Sequence, residues 1–122
     1  AMTGGSAFLI NKLGATDKAN LIKELFSNDS TAIGVSYLRV SLGASDLSSS
    51  VFSYDDIDPS GVDNDLLHFS LKPDSADLIP VLKSALAINP NIKIMASPWS
   101  APACTGHRSV RAMPDRPDTM IW

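Results

Sequence analysis

Segments with helical periodicity alternate with short strand-like segments along this chain, and that alternation restricts the available folds more than any other feature. A short helix is predicted over residues 6–13, where mostly apolar side chains precede a glycine. Residues 16–26 carry apolar side chains at helical spacing behind Thr16, an N-cap candidate, and predict a longer helix. The β-branched and aromatic residues at 33–40 then predict a strand.

The same order is repeated further along the chain. Asp74 or Ser75 opens a predicted helix that continues to residue 88, and Pro80 fits because proline is tolerated in the first turn. Residues 92–96 predict a short apolar strand. Helix and strand units in this order are typical of parallel β/α folds, in which functional residues lie at the carboxyl ends of the strands.

Two residues at the predicted strand ends have side chains suited to sugar binding. Arg39 lies near the end of the first strand, and Trp99 follows the second. An indole face suits stacking on the C–H face of a sugar, whose hydroxyls bind aspartate and arginine. We expect the guanidinium to be buried, so that it needs a polar partner, and Asp46 would be either that partner or a ligand for hydroxyls. Trp99 would equally serve as a core residue that closes the end of the sheet.

The connection over residues 41–70 has the composition of a loop and contains an acidic stretch that includes Asp55 and Asp56. Unstructured connections of this length are uncommon within compact domains and are more often functional. If the stretch is aligned with an EF-hand calcium loop so that Asp56 is the first ligand, Leu67 falls at the last position of the loop. That position requires a bidentate glutamate. A solvated acidic loop is therefore favoured over a calcium site, and no metal site is predicted.

Charge and hydropathy exclude several classes of partner. The 122 residues carry 13 acidic and 10 basic side chains, for a net charge of −3. Without a basic surplus, nucleic acid and anionic membranes are not expected as partners. No apolar run approaches the roughly 20 residues that span a bilayer. The first residues lack the basic start and apolar stretch of a secretory signal.

Glu24 is the only glutamate in the chain, and the other acidic residues are aspartates. It lies in the predicted helix before the first strand rather than at a strand end. A mechanism that demands two glutamates therefore cannot be completed by one copy of this polypeptide.

The strand-end segments, taken together, resemble glycoside hydrolase family 30, which includes glucosylceramidases and microbial β-1,6-glucanases. The start, Ala1-Met2-Thr3, is similar to the end of the family's first barrel strand. The resemblance covers about residues 1–103 and is carried, in order, by residues 34–48, 54–56, 68–71, 79–86 and 91–102.

This resemblance implies a retaining β-glycosidase on a (β/α)8 TIM barrel, an α/β fold of which residues 1–103 would supply about three parallel strands with flanking helices. Arg39, Asp46 and Trp99 resemble the family's substrate-binding positions. The family's acid/base and nucleophile are glutamates that match no residue of this chain. The implied substrate is a β-linked glucoside or glucan, and no cofactor is implied. Because the family is mostly secreted or lysosomal and no signal is present, localisation stays open.

Two expectations concern the organisation of a partial barrel. Each barrel strand needs two neighbours, so we expect a homo-oligomer in which self-association covers the open edges. Residues 104–122 differ in composition from the rest, since they hold three of the four arginines and none of the lysines. We expect this tail to be disordered or non-native.

Two other functions stay open. One is a self-assembled small glycosidase in which aspartates replace the glutamates, with Asp46 as the first carboxylate and Asp55 or Asp56 as the second. Such hydrolysis needs carboxyls about 5–5.5 Å apart for retention, or about 6.5–9.5 Å for inversion. The other is a non-catalytic module that binds carbohydrate or a protein through Trp99 and the acidic loop.

Overall fold

The computed structural model describes residues 1–57, 61 and 63–102 and shows helices alternating with parallel strands. The elements, in chain order, are α1 (Gly4–Lys12), α2 (Ala15–Phe26), β1 (Tyr37–Leu42), a 3-10 helix (Lys72–Asp74), α3 (Leu78–Ile88) and β2 (Lys93–Pro98). The predicted tail over residues 104–122 lies outside the described residues and stays a prediction.

The strands pair in parallel, as the alternating pattern predicts. β1 and β2 form a ladder that runs from Tyr37 opposite Lys93 to Leu42 opposite Pro98. On the other side of β1, Met2 forms a parallel bridge with Val40, and its amide donates to the Arg39 carbonyl at 2.8 Å. Three chain segments therefore lie side by side in the order Met2, β1, β2, which confirms a partial parallel β/α architecture.

One face of the sheet packs against the helices and forms the core. Leu38 and Val40 alternate along β1 toward this face and are buried, whereas Tyr37 and Arg39 point the other way and are exposed. The buried apolar side chains of the core cluster are Met2, Ala7, Ile10, Ile22, Phe26, Leu38, Val40, Leu78, Val81, Ala85 and Ile92. The opposite face of β1 is left to carry polar groups, among them Arg39.

The conformation of the residue before each of the first two helices sets where the helix begins. α1 starts at Gly4, because Thr3 is extended and its hydroxyl oxygen accepts the Ser6 amide hydrogen bond at 3.1 Å. The N-cap predicted for α2 at Thr16 is wrong. Gly14 occupies that position and makes no side-chain capping bond, and helical geometry already begins at Ala15.

The first strand begins four residues later than the β-branched pattern predicts. The amides of Ile33 and Val35 donate to the Glu24 and Leu25 carbonyls, at 2.8 and 2.9 Å, at the end of α2. Gly34 between them has a φ of +69°, which an extended strand does not accommodate. Residues 33–36 therefore return the chain from α2 to the sheet, and the ladder begins at Tyr37.

The second unit also differs at its start. A 3-10 helix over Lys72–Asp74 precedes α3, which begins at Leu78 rather than at Asp74 or Ser75. Pro80 lies in the first turn of α3, as predicted. β2 continues to Pro98 because the ladder with β1 extends past the apolar run.

The long loop-like connection is confirmed for its described part from residue 43 onward, whereas Ser41 and Leu42 belong to β1. Between β1 and the 3-10 helix, those residues form turns and bends but no helix or strand. Tyr54 packs between Phe52 and Phe69, with ring centroids 6.2 and 6.0 Å away. The Ser70 amide donates to the Tyr54 carbonyl at 2.7 Å. Aromatic packing and backbone hydrogen bonds thus hold the loop together. In the part of the chain described, no helix is long and apolar enough to cross a membrane.

Candidate functional site

The side chains of Arg39 and Trp99 meet near the carboxyl ends of β1 and β2, although Arg39 itself lies in the middle of β1, opposite Met95. The Arg39 Nη2 donates to Ser97 Oγ at 3.2 Å, and the guanidinium carbon lies 5.4 Å from the centre of the Trp99 ring. Trp99 is 42% exposed, so part of its indole remains accessible to a ligand. A guanidinium over an aromatic face is held by a cation–π attraction. Because β1 and β2 run parallel and in step, Arg39 lies opposite Met95, and its side chain extends along the strands toward Ser97 and Trp99.

The expected burial of Arg39 is wrong. Its side chain is exposed, because the face of β1 that carries it is not covered by a helix. Arg39 forms no salt bridge with Asp46; the ion pair found among the described residues joins Lys23 and Asp29. The guanidinium is satisfied by a hydroxyl and an aromatic ring instead of a carboxylate.

Asp46 is presented by a short turn above the start of α1. The Ser45 amide donates to Ser48 Oγ at 3.0 Å, and the Ser48 amide returns a bond of 3.0 Å to the Ser45 carbonyl. The exposed Asp46 carboxylate lines a cavity of about 680 Å³ together with Thr3 and Gly4. The carboxylate therefore lies beside the end of the segment that precedes α1, in addition to following β1.

A close backbone approach holds this turn against α1. A Cβ at Gly5 would lie 2.2 Å from the Leu47 carbonyl oxygen, which is a steric overlap with backbone. A Cβ at Gly4 would meet only the Ser48 hydroxyl, at 3.3 Å. Gly5 is therefore required for the turn to lie on the helix, and the sequence pattern gave no sign of this long-range contact.

Asp46 and Asp56 line different cavities in the described part of the chain. Asp56 accepts hydrogen bonds from the Ser53 amide at 2.7 Å and from Ser53 Oγ at 2.6 Å. It lines a second cavity of about 500 Å³, whereas Asp46 lines the first. Asp55 is 2% exposed and lines neither cavity. The two cavities share Phe52 and Pro73 along their walls.

A pair formed by the half-buried Tyr54 phenol and the buried Asp74 carboxylate closes the base of the loop, and sequence reasoning missed it. The Tyr54 hydroxyl donates to the Asp74 carboxylate, and Asp74 is buried. Burial, together with the hydrogen bond to Asp74, raises the pKa of Tyr54 to about 12. Because the two residues are 20 positions apart in the sequence, no local signal indicated their pairing.

Asp63 organises the far part of the loop. Its carboxylate accepts the backbone amides of His68 at 2.7 Å and Leu67 at 3.0 Å. The His68 amide, followed by the Leu67 amide, holds the pKa of Asp63 below its ordinary value. Within residues 1–57, 61 and 63–102, no group of three or more His, Cys, Asp or Glu side chains is arranged to hold a metal ion.

Glu24 lies away from the strand ends that carry Arg39 and Trp99. It is exposed near the C-terminus of α2, beside Lys23 and Asp29. The chain returns from α2 directly into β1, so this end of the helix lies at the amino ends of the strands. The carboxyl end of the sheet is therefore furnished with arginine, aspartate and tryptophan but not with this glutamate.

The parallel strands, the helices on one face of the sheet and the side chains near the carboxyl ends of the strands are the parts of an incomplete parallel β/α barrel. The chain belongs to glycosyl hydrolase family 30, whose TIM-barrel domain matches residues 1–112. The resemblance of the strand-end segments is thereby confirmed.

Named relatives cover two kinds of glycosidase. The chain is 36% identical over 83 residues to the Caenorhabditis elegans protein named "Putative glucosylceramidase 1", covering 67% of this chain and 15% of the relative. It is 32% identical over 105 residues to the endo-1,6-beta-D-glucanase BGN16.3 of Trichoderma harzianum, covering 84% and 20%. The solved endo-beta1,6-glucanase BT3312 superposes with a TM-score of 0.71 at 34% identity, covering 82% and 21%. The chain thus spans about a fifth or less of the length of these relatives.

Proposed function

We propose that the carboxyl ends of β1 and β2 bind a glucosyl unit of a β-linked glucoside or glucan. The observation that carries this proposal is the Arg39 guanidinium over the partly exposed Trp99 indole, at the ends of two neighbouring parallel strands. Ligands of parallel β/α folds bind at this end of the sheet. The chain then carries part of the sugar-binding subsite of a retaining β-glycosidase.

Each side chain has a distinct task in this proposal. The exposed part of the Trp99 indole stacks on the C–H face of the sugar ring. Arg39 donates to a sugar hydroxyl while it keeps its contact with Ser97. Asp46, exposed at its turn, accepts from further hydroxyls. Names of the relatives, glucosylceramidase and endo-1,6-beta-glucanase, favour a glucoside or β-1,6-glucan as the ligand.

The proposal assigns binding, but not a full catalytic pair, to these 122 residues. Hydrolysis with retention needs two carboxyl groups about 5–5.5 Å apart across the scissile bond. Glu24 is the one glutamate of the chain, and Asp46 and Asp56 line different cavities. We therefore propose that the family's two catalytic glutamates have no counterpart here and that this chain alone does not accelerate glycoside hydrolysis.

A fluorescence titration tests sugar binding. In a Trp122→Phe background, methyl β-glucoside and a β-1,6-linked glucose disaccharide are added while Trp99 emission is followed. We expect saturable changes that weaken at least tenfold in Asp46→Asn. The matched control is Asp65→Asn, which removes the same charge from an exposed loop position and leaves binding unchanged. Absence of any change with either sugar would overturn the proposal.

A hydrolysis assay separates binding from turnover. Aryl β-glucosides are incubated with the 122-residue chain and with its Asp46→Asn variant. We expect no release of the aryl alcohol above the buffer rate in either sample. Release that disappears in Asp46→Asn would contradict the assignment and would identify Asp46 as a catalytic carboxylate of an aspartate-based glycosidase.

We also propose that a second copy of the chain covers the outer side of β2 when the 122 residues are studied alone. The support is exposure: Ile94 and Met95, adjacent in β2, are 40% and 43% exposed. A parallel strand with both faces open to water is unfavourable. Light scattering should report a dimer or larger species that Ile94→Lys shifts toward monomer, while Leu67→Lys in the loop does not. A monodisperse monomer with cooperative unfolding would contradict this.

A further inference from the structure

The loops that follow β1 and β2 are tied together at Leu42 and Ala44. The Leu42 carbonyl accepts hydrogen bonds from the amides of Trp99 at 3.1 Å and Ser100 at 3.3 Å. The Ser100 hydroxyl in turn donates to the Ala44 carbonyl at 2.6 Å. Ser100, the residue next to Trp99, therefore contacts the end of β1 through its backbone and the loop that follows β1 through its side chain.

The partner of that hydroxyl is itself fixed. Ala44 is buried, and its amide donates to the Phe52 carbonyl at 2.9 Å. Ala44 is thus held by Phe52 through its N–H and by Ser100 through its C=O. Because Ala44 is buried and its amide is already hydrogen-bonded, its carbonyl is a fixed acceptor for the Ser100 hydroxyl.

Gly43 lets the two loops approach this closely. Its φ is +79°, and a Cβ there would lie 3.0 Å from the Ser100 carbonyl oxygen and 3.1 Å from the Ser100 Cβ. A side chain at this position would be strained in its backbone and would also push Ser100 away. The absence of a side chain at Gly43 therefore lets Ser100 lie close enough for its hydroxyl to reach the Ala44 carbonyl.

We propose that Ser100 is a positioning residue, which sets the location of the Trp99 indole relative to Asp46 without touching the sugar. Asp46 follows the fixed Ala44 by two residues, and Trp99 immediately precedes Ser100. The hydroxyl bond therefore links the two loops that carry the stacking ring and the carboxylate. This inference rests on the proposed sugar-binding function and deepens it.

The test compares Ser100→Ala, which loses the hydroxyl, with Ser100→Thr, which keeps it, in the 122-residue Trp122→Phe chain. Acrylamide quenching of Trp99 emission and the affinity for methyl β-glucoside are measured. We expect Ser100→Ala to increase quenching and to weaken sugar affinity about three- to tenfold, the range of one lost neutral hydrogen bond. Ser100→Thr should restore both values.

Ser84 offers a matched control. It is half-buried like Ser100, and its hydroxyl donates to the Pro80 carbonyl at 3.0 Å within α3. Ser84→Ala should change neither the quenching of Trp99 nor the sugar affinity. The positioning role is overturned if Ser100→Ala behaves like Ser84→Ala, or if Ser100→Thr fails to restore Trp99 quenching.

The two proposals fail in distinguishable ways. If the parent chain binds no sugar, the proposed function is overturned, and the quenching comparison alone decides whether Ser100 positions Trp99. If the parent chain binds sugar but Ser100→Ala binds it equally well, the binding function stands and the positioning role is overturned.

Discussion

The guanidinium carbon of Arg39 lies 5.4 Å from the centre of the Trp99 ring, although the two side chains come from different strands. Arg39 belongs to β1, and Trp99 directly follows β2. Arg39 lies opposite Met95 in the parallel ladder, and the contact exists because its long side chain extends past Ser97 toward the residue that follows β2. It brings a cation and an aromatic face to one place at the end of the sheet that β/α proteins use for ligands.

Removal of the guanidinium should alter the environment of Trp99 more than the stability of the fold. In the Trp122→Phe background, Arg39→Ala should shift the Trp99 emission and lower the free energy of unfolding by about 0.5–1 kcal/mol, the value of an exposed cation–π pair. Emission spectra and urea unfolding measure the two effects. Lys12→Ala is the control, because Lys12 lies 5.0 Å from the Phe8 ring. An unchanged Trp99 emission in Arg39→Ala would contradict the contact.

Adjacent glycines in α1 should respond in opposite directions to the same substitution. Gly5→Ala places a Cβ 2.2 Å from the Leu47 carbonyl oxygen, so we expect a loss of about 1–3 kcal/mol, as for overpacking. Gly4→Ala meets only the movable Ser48 hydroxyl and should be neutral or stabilise by up to about 1 kcal/mol through helix propensity. Denaturant unfolding compares the two variants, and equal stabilities would refute the close approach.

Tyr54 should ionise late in an alkaline titration of the folded protein. Its pKa is raised from 10 to about 12 by burial and by Asp74. Because the folded-state pKa lies above the unfolded value, the stabilisation is complete below pH 10 and is lost as the pH rises through about 12. Ultraviolet absorbance of tyrosinate follows the ionisation, and Tyr54→Phe should remove the late component. Asp74→Asn should lower the pKa, and an unchanged value in that variant would argue against the pairing.

Phe26 should be the most costly single truncation in the core. The side chain is 2% exposed and lies in the cluster between the helices and the sheet. Phe26→Ala should therefore lower the free energy of unfolding by about 3–5 kcal/mol. Leu67→Ala, at an 80% exposed loop position, should stay within about 0.5 kcal/mol of the parent. Thermal or urea unfolding measures the free energy of unfolding of both variants, and similar losses would contradict the placement of Phe26 in the core.

Helices and strands with strong periodicity could be predicted from the sequence, but their first residues often could not. α2 and α3 show apolar residues at helical spacing, which is a local property of the chain. The start of β1 depended on Gly34 and on carbonyls at the end of α2, which accept the amides of Ile33 and Val35. These contacts with α2 are not visible in a run of β-branched residues, so the strand was predicted to begin at residue 33 instead of residue 37.

The candidate site could be predicted in its residues but not in its contacts. Arg39 lies near the end of the first predicted strand, Asp46 and Trp99 follow predicted strands, and parallel topology alone indicated one common end. Of the two roles left open for Asp46, that of a partner for Arg39 is not found, because Asp46 lines the cavity beside α1 while Ser97 and Trp99 lie next to the guanidinium. Which polar group reaches another depends on loop paths that are set by Gly5, Gly43 and Ser100.

By itself, the sequence determined the parallel β/α order, the family and the presence of a single glutamate, since periodicity and residue identity are local and countable. Only the tertiary structure decided that Arg39 is exposed against Trp99, that Tyr54 pairs with Asp74, and that the two loops are tied through Ser100. These contacts join residues distant along the chain. Their energies depend on burial and on distances of a few ångströms, which exist only once the strands and helices have packed.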